Sequence, residues 1–414
     1  MTVVAKKIEK TDILNELLTS ERRAKFACHP SDTKGRIVQE PESKTRSDFQ
    51  RDRDRVIHSN AFRRLKHKTQ VFVYHEGDHY RTRLTHSIEV SQVARSLARS
   101  LCLDEDLAEV CALAHDVGHT PFAHVGEDAL KECMAPYGSF DHNDQTLRVL
   151  TMLEKRYPRY DGLNLTWETL EGLVKHNGPV LKSGEDKKLE ITLSWLKGQT
   201  DLMLDTYASA EAQVAGISDD VAYNSHDLDD GLSAGLFTLD DFSDLPLIGE
   251  IVFNKRKEFP DTHEKILHHE VIREFMGYMV ADVLTQTKIH LAELKPQSVS
   301  DVRHWDRQLI SFSDKMAEYD KHIRAFLWER FYMHHDVSRM RYKVFRVVQD
   351  LFGVFMDHQK CLPTEWQRQI KTVPEGWTVE DWRARSIADY IASMTDKKAL
   401  MEHRDLFDIS AASH

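Results

Sequence analysis

The sequence of 414 residues lacks long apolar runs and has few cysteines. No segment approaches the roughly 18 consecutive apolar residues that a membrane-spanning helix needs. The N-terminal sequence MTVVAKKIEKTDIL has no apolar signal core. The five cysteines form no C-x-x-C pair, which favours reduced packing residues over disulfides or a cysteine-rich metal site. These absences predict a cytoplasmic protein that does not contact the membrane.

An excess of positive charge and a glycine-rich phosphate loop are also absent. The formal net charge of -11 argues against a general nucleic-acid coat or a protein that binds anionic membranes. No segment has the G-x-x-x-x-G-K pattern of a phosphate-binding loop. The hydrophobic content of 41% is nevertheless enough to bury a sizeable core, so we expect a globular protein.

Strand signals are scarce, whereas apolar residues recur at helical spacing through most of the chain. Helices are predicted over residues 86–101, 107–114, 142–157, 166–176, 205–228 and 264–293. The pattern predicts an all-α fold with, at most, short strands near residues 70–82. We expect an N-terminal arm over residues 1–45, a core over residues 46–235 and a helical C-terminal region over residues 236–414 that packs on this core.

The highest density of ionisable side chains lies in HDVGHTPFAHVGE, residues 115–127. Three histidines and two carboxylates in so short a segment are typical of a metal site rather than of a hydrophobic core. Adjacent residues project about 100° apart on a helix, so His115 and Asp116 can reach one ion only where a helix ends. Gly118 is placed to end that helix.

The second half of this segment predicts a new helix. Thr120 is a suitable N-cap, and Pro121 suits the first helical position. A helix that begins there carries His124 and Glu127 one turn apart on the same face. We expect this pair to act as an acid/base pair and not as metal ligands.

Two distant segments supply further groups of the same kind. RLTHS contains His86, and SDDVAYNSHD contains the neighbouring aspartates at positions 219 and 220. The candidate ligand set is therefore His86, His115, Asp116 and one of these two aspartates. Mixed imidazole and carboxylate ligation suits a divalent transition metal or magnesium with open positions, and it excludes a closed structural zinc site.

Helical spacing favours Asp219 over Asp220 as the fourth ligand. Asp219 lies at i, i+4 and i+8 with Tyr223 and Asp227, so these three residues form one polar stripe. Asp220 instead shares its face with Asn224.

Positive charge is concentrated between residues 46 and 83 of this acidic protein. Most of these cations are expected to be solvated or paired with Asp48, Asp52 and Asp54. Arg83 precedes His86 by about one helical turn, so it should emerge beside the metal, where its guanidinium can hold a phosphate.

These motifs resemble the HD superfamily of metal-dependent phosphohydrolases, and most closely the bacterial deoxyguanosine triphosphate triphosphohydrolase-like proteins. The general pattern H…HD…D is carried by His86, His115, Asp116 and Asp219. Longer matching stretches are DRDRVIHSNAFRRLKHKTQVF (52–72), RTRLTHSIEV (81–90), AHDVGHTPFAHVGE (114–127), LVKHNGP (173–179) and SDDVAYNSHDLDDG (218–231). The resemblance spans roughly residues 47–370.

The resemblance implies an HD-domain helical bundle with additional C-terminal helices. It also implies hydrolysis of a deoxynucleoside triphosphate at the α-phosphorus, which yields the deoxynucleoside and tripolyphosphate. One divalent metal ion per site is implied, with manganese, magnesium, cobalt, nickel and iron all compatible with the ligands. Members of the family are often hexameric homo-oligomers, and some need a deoxynucleotide activator or bind single-stranded nucleic acid. A preference for dGTP and a broader range of deoxynucleotides both stay open.

The resemblance also assigns roles to individual residues. The implied metal ligands are His86, His115, Asp116 and Asp219. The implied catalytic residues are His124, positioned by Glu127, and His119, which contacts phosphate. The implied substrate contacts are Arg83 with phosphate, Gln70 with the deoxyribose, Tyr223 as a steric gate against a 2′-hydroxyl, and Asp227 with the 3′-hydroxyl. His176 and Asn177 match a family motif but receive no role from spacing.

Two alternatives remain compatible with the motifs. Another HD-type nucleotidase or phosphodiesterase would share the four ligands without needing Gln70, Tyr223 and Asp227 around a deoxyribose. A non-catalytic deoxynucleotide sensor would bind nucleotides but would have no use for the pair formed by His124 and Glu127.

Overall fold

The computed structural model describes residues 23–70, 81–181 and 189–410. Within these ranges the protein is built from helices, and backbone pairing is limited to isolated bridges such as that between Thr69 and Thr82. The prediction of an all-α fold is therefore confirmed. Most of the segment for which a short strand was expected, residues 71–80, lies outside the described ranges.

The described helices are numbered here in chain order. The first group is α1 (Asp48–Ile57), α2 (Asn60–Arg64), α3 (Arg83–Ser100), α4 (Glu105–Ala114), α5 (Ala123–Met134), α6 (His142–Arg148), α7 (Trp167–Lys175), α8 (Ile191–Gln199) and α9 (Ala210–Ser233). The second group is α10 (Ile248–Glu258), α11 (Glu264–Leu294), α12 (Val299–Arg303), α13 (Asp314–Leu327), α14 (His335–Asp357), α15 (Thr364–Lys371), α16 (Val379–Ser393) and α17 (Asp396–Phe407). Short π-helical segments follow α6 (Val149–Leu153) and α13 (Trp328–Tyr332). None of these helices combines the length and the apolar character that crossing a membrane requires.

Several helix boundaries differ from those predicted. The helix expected over residues 142–157 ends as a π-helical turn at Leu153. The helix expected over residues 205–228 begins at Ala210, because the Ser209 side chain accepts a hydrogen bond from the Ala212 N–H and caps it. Such local caps decide where a helix begins more directly than apolar periodicity does.

The motifs with the predicted metal ligands lie where α3, α4 and α9 pack against one another. Val90, Ala94 and Leu97 of α3 are fully buried in this core, as are Leu107 and Val110 of α4. Helix α1 covers the outer side of α4. The packing brings the first turn of α3, the end of α4 and the middle of α9 to one place.

A second apolar cluster joins the C-terminal helices to α5. Leu130 and Met134 of α5 are fully buried against a cluster that includes Leu351 and Phe355 of α14 and Ile387 of α16. This cluster fixes the position of α5, the helix that carries His124 and Glu127. The division of the chain at residues 45 and 235 stays a prediction.

The described part of the predicted N-terminal arm, residues 23–45, lies against the helical core. The Arg36 guanidinium donates hydrogen bonds to the carboxylates of Asp52 and Asp48, and Asp52 is completely buried. The Trp167 N–H donates to the Gly35 carbonyl at 2.8 Å. Ion pairs hold this segment onto α1, and a backbone hydrogen bond holds it onto the start of α7.

The segment from His115 to Ala123 differs from the prediction at both of its ends. Helix α4 ends at Ala114, before Gly118, so glycine is not what ends it. A Cβ atom at position 118 would lie 2.1 Å from the backbone nitrogen of Thr146, so the glycine permits close approach to α6. Helix α5 begins at Ala123 and not at Thr120, because Phe122 adopts a left-handed conformation with φ of 65°.

Candidate active site

Four predicted metal ligands come together from three parts of the fold. The His86 Nε2 atom lies 2.8 Å from Asp219 Oδ1 and 3.9 Å from Asp116 Oδ2. The His115 Nε2 atom lies 3.4 Å from Asp116 Oδ1 and 3.5 Å from Asp219 Oδ1. Groups that are far apart in the sequence therefore form one compact cluster of imidazole and carboxylate atoms.

His115 is oriented as a metal-ligating histidine would be. Its Nδ1 atom lies 2.6 Å from the Ala112 carbonyl oxygen, which accepts the proton on that nitrogen. The opposite atom, Nε2, is buried and has no hydrogen-bond partner among the described residues. A hydrogen bond on one ring nitrogen fixes the tautomer that leaves the other nitrogen free for a cation.

The His86 ring contacts His226, which in turn contacts Glu89, and the sequence singled out neither of these two residues. The Nδ1 atoms of His86 and His226 are 3.1 Å apart, and the Nε2 atom of His226 contacts the Glu89 carboxylate. Burial lowers the pKa of His226 to about 4 despite that carboxylate. Glu89 follows His86 by three residues on α3. This i, i+3 spacing is the sequence feature from which Glu89 could have been expected near His86.

The carboxylates control the electrostatics of this cluster. Burial alone would lower the pKa of His115, but the charges of Asp116 and Asp219 raise it to about 9. Burial alone would raise the pKa of Asp116, but Arg83 and His115 hold it below its usual value. The cluster therefore favours ionised carboxylates and attracts positive charge.

Asp219 and its neighbour Asp220 point in different directions. Asp219 faces the two histidines, whereas an Asp220 oxygen accepts a hydrogen bond from Arg324 Nη2 at 2.8 Å. The i, i+4 and i+8 spacing of Asp219, Tyr223 and Asp227 predicts this arrangement. The role of Asp219 as a ligand stays a prediction.

The residues present fit a divalent cation. Two imidazoles and two carboxylates supply the nitrogen and oxygen donors that divalent transition metals and magnesium accept. The buried Nε2 atom of His115 supports this interpretation, since it faces the Asp116 and Asp219 carboxylates and has no hydrogen-bond partner among the residues that the structure describes.

A second cluster of histidines lies next to the predicted ligands. The rings of His119 and His142 are 4.1 Å apart, and that of His124 lies 5.2 Å from His119 and 5.7 Å from His142. His119 also approaches the first cluster, with its Nδ1 atom 3.3 Å from Asp116 Oδ1. Burial and the charge of Arg83 lower the pKa of His119 well below its usual value, so this imidazole is neutral.

Glu127 connects two of these three histidines. Its Oε2 atom lies 3.3 Å from His124 Nδ1, and its Oε1 atom lies 2.8 Å from His142 Nδ1. Burial raises the pKa of Glu127, but hydrogen bonds from His124 and His142 outweigh it and lower the pKa. An ionised Glu127 therefore orients both rings. The sequence analysis missed His142, whose contact with Glu127 depends on the approach of α6 to α5.

Arg83 lies beside the predicted metal ligands, as its spacing from His86 indicates. Its Nη1 atom donates to Asp116 Oδ2 at 2.8 Å. Its Nε and Nη2 atoms are buried and have no hydrogen-bond partner in the described part of the chain. A buried guanidinium with two free donor groups is suited to a phosphate oxygen.

The predicted deoxyribose contacts include one pair that the structure links. The Tyr332 hydroxyl lies 2.6 Å from the Tyr223 hydroxyl and also donates to the Asp227 carboxylate. Burial raises the pKa of Asp227 to about 8. Sequence reasoning missed Tyr332, which comes from the C-terminal region. The Gln70 side chain is buried, with its oxygen unpartnered among the described residues, but no hydrogen bond links it to Tyr223 or Asp227 there.

His176 and Asn177 have a structural role at this site. The His176 Nδ1 atom lies 2.7 Å from the Leu173 carbonyl oxygen, and its Nε2 atom lies 2.9 Å from Asn177 Nδ2. A Cβ atom at Gly216 would lie 2.6 Å from the His176 carbonyl oxygen. The end of α7 thus packs directly on α9, about one turn before Asp219.

Models of two known domain families match parts of this chain. The model of the HD domain matches residues 83–219, and that of the phosphohydrolase-associated domain matches residues 310–405. HD domains bind divalent metals, and together with the relatives' names these matches support a phosphohydrolase.

Three similar proteins carry the same name, deoxyguanosinetriphosphate triphosphohydrolase-like protein. The one from Parvibaculum lavamentivorans is 53% identical over 387 residues, which cover 93% of this chain and 96% of the relative. The one from Caulobacter vibrioides is 53% identical over 388 residues, 94% of this chain and 97% of the relative. The one from Brucella anthropi is 51% identical over 389 residues, which cover 93% of this chain and 96% of the relative. The chain therefore belongs to the family of deoxyguanosinetriphosphate triphosphohydrolase-like proteins, within the HD phosphohydrolases.

Proposed function

We propose that this protein is a metal-dependent deoxynucleoside triphosphate triphosphohydrolase. It would act on dGTP or on a broader set of the deoxynucleotide pool and release the deoxynucleoside and tripolyphosphate. The observation that carries the proposal is the position of Arg83, which bonds Asp116 of the predicted ligand cluster, lowers the pKa of His119 in the histidine cluster, and has two buried donor groups without a hydrogen-bond partner among the described residues. The names of the relatives favour the same activity.

The four clustered side chains, His86, His115, Asp116 and Asp219, would hold one divalent ion. Manganese, magnesium, cobalt, nickel and iron all accept such donors, and their availability in the cell decides among them. When bound, the ion would supply Lewis-acid polarisation of the α-phosphate.

Arg83 and His119 would bind the phosphate chain. Arg83 can donate from Nε and Nη2 to phosphate oxygens while Nη1 stays on Asp116. His119 is neutral and buried, so it can donate a hydrogen bond without adding charge. Together they would align the α-phosphorus for attack by water.

His124, held by Glu127, would transfer the proton from the attacking water to the leaving oxygen. In this reaction water adds to the α-phosphorus, the bond from that phosphorus to O5′ breaks, and one proton passes from the water to O5′. The His124 ring is half exposed toward solvent, and its Nδ1 atom is held by Glu127, so Nε2 is free to transfer this proton. His142 holds Glu127 in place from the other side.

Tyr223, Asp227 and Tyr332 would form the sugar side of the site, with Gln70 as a further contact. The three side chains form a connected hydrogen-bond network, in which Tyr332 links the other two. A 2′-hydroxyl placed against the Tyr223 ring would clash, while the Asp227 carboxyl can bind a 3′-hydroxyl. A rigid polar contact of this kind discriminates strongly between sugars.

Two other properties remain proposals that rest on the family resemblance. They are assembly into a homo-oligomer, with a hexamer as the suspected state, and activation by a deoxynucleotide.

Product analysis tests the proposed reaction. Purified protein supplied with manganese is expected to convert deoxynucleoside triphosphates to deoxynucleosides and tripolyphosphate, and to leave ribonucleotides largely intact because of Tyr223. Chromatography of reactions with all four dNTPs and the ribonucleotides measures both. Release of orthophosphate or a nucleoside monophosphate would favour another HD-type nucleotidase, and nucleotide binding without any product would favour a sensor.

The choice of Asp219 over Asp220 predicts a difference in metal content. Asp219→Ala removes a donor that faces His86 and His115, so this variant should lose most of its bound metal. Asp220→Ala removes only a partly exposed ion pair with Arg324, and such pairs contribute little, so its metal content should stay near that of the wild type. Elemental analysis of the two purified variants provides the comparison, and the reverse pattern would overturn the ligand assignment.

The proton-transfer role of His124 predicts a loss of turnover without a loss of binding. His124→Ala should reduce kcat by about 100-fold or more, since general acid/base catalysis contributes at that level. Nucleotide affinity should change little, because Arg83 and the metal ligands remain. The exposed His304 offers a matched control, and His304→Ala should retain full turnover. Unchanged turnover in His124→Ala would remove this residue from the mechanism.

A further inference from the structure

We propose that Trp328 is the platform on which the nucleobase of the substrate stacks. This inference rests on the proposed function and deepens it, because it assigns the base subsite and predicts the range of bases accepted. No motif in the sequence singled out this residue.

The helical segment that contains Trp328 contacts α9 at two points. Arg324, in the last turn of α13, donates to Asp220, the neighbour of the predicted ligand Asp219. Tyr332, at the end of the following π-helical segment, donates to Asp227 on the predicted sugar side. Trp328 lies four residues from each, so it shares their side of the helix. It therefore lies about one turn from Tyr332, the residue that bonds the predicted sugar contacts.

The indole ring of Trp328 neighbours the sugar side directly. Its ring centroid lies 6.3 Å from that of Tyr332, at an interplanar angle of 45°. In a nucleotide the base and the phosphate chain extend from opposite ends of the sugar. A nucleotide with its phosphates at Arg83 and its sugar at Tyr223 would therefore direct its base away from the metal ligands, toward the outer edge where Trp328 lies.

The exposure of Trp328 distinguishes it from a packing residue. The side chain is 57% exposed, which is unusual for the largest apolar ring in proteins. Single exposed apolar residues are common on protein surfaces, and Phe253 and Tyr342 are further examples here. Trp328 differs from these two because it adjoins a residue bonded to the predicted sugar contacts. The π-helical turn that carries it is a feature often found at functional sites.

Arg324, one turn before Trp328, is already paired with carboxylates. Arg324 Nε donates to Asp320 at 2.7 Å, and its Nη2 donates to Asp220 at 2.8 Å. Asn224 donates to Asp320 as well. Because these polar groups are bound to one another, the indole face is the contact that this edge of the site offers to a base.

Stacking on an indole selects for ring area and not for a hydrogen-bond pattern, since every base has a π face. We therefore infer that all four deoxynucleoside triphosphates bind, and that the two purines bind more tightly than the two pyrimidines. A strict preference for guanine would require a directional contact that Trp328 cannot provide.

Fluorescence of a stacked base tests this inference. The probe is the triphosphate of 2-aminopurine deoxyribonucleoside with a methylene group in place of the 5′ oxygen, so that the scissile bond is absent. Stacking on tryptophan quenches 2-aminopurine, so wild-type protein loaded with manganese should quench the probe. Trp328→Ala should abolish the quenching and raise the Kd about 5- to 100-fold, the range expected for loss of one stacked base. Trp328→Phe keeps an aromatic face and should retain most of the quenching and most of the affinity for the probe.

The control is Trp195→Ala, which removes an exposed tryptophan on α8 and should leave Kd and quenching unchanged. Binding with quenching that survives in Trp328→Ala would overturn the inference. So would wild-type binding of the probe, measured by equilibrium dialysis, without quenching. Failure of the wild type to bind any deoxynucleoside triphosphate would overturn the proposed function as well, and this separates the two failures.

Discussion

The structure depends on the cost of burying ionisable groups where α3, α4 and α9 meet. His86, Asp116 and Arg83 are almost inaccessible to solvent there, and unpaired charges in such a place would destabilise the fold. The ion pair between Arg83 and Asp116 offsets part of this cost. The remaining carboxylate charge, shared with Asp219, creates an environment that favours a bound cation. The packing that buries these groups is therefore also what makes the cluster favourable for a cation.

The same electrostatics separate two tasks within a short segment. His115 and Asp116 follow the end of α4 and belong to the ligand cluster, whereas His124 and Glu127 belong to α5 and face the histidine cluster. His119 lies between them and is kept neutral by burial and by neighbouring positive charge. The C-terminal helices hold α5 in place, so the predicted acid/base pair depends on packing far from the predicted metal ligands.

The sequence predicts the parts of the site that depend on local spacing. Ligand density singled out His115, and helical periodicity distinguished Asp219 from Asp220; the structure gives both the expected placement. The helix limits at Gly118 and Thr120 were wrong, because close approach to Thr146 and the left-handed Phe122 are set by tertiary packing. His142, His226 and Tyr332 were missed for a related reason. Their partners lie on other helices, and single-sequence periodicity contains no information about such contacts.

The central claim is that these residues direct water to the α-phosphorus and release O5′ as the leaving group. Hydrolysis of a deoxynucleoside triphosphate in water enriched in ¹⁸O, followed by mass spectrometry of the products, tests it most directly. Attack of water at the α-phosphorus should place one ¹⁸O atom in tripolyphosphate and none in the deoxynucleoside. Label in the 5′-hydroxyl group of the deoxynucleoside, or in orthophosphate or pyrophosphate released beside a shorter nucleotide, would contradict it.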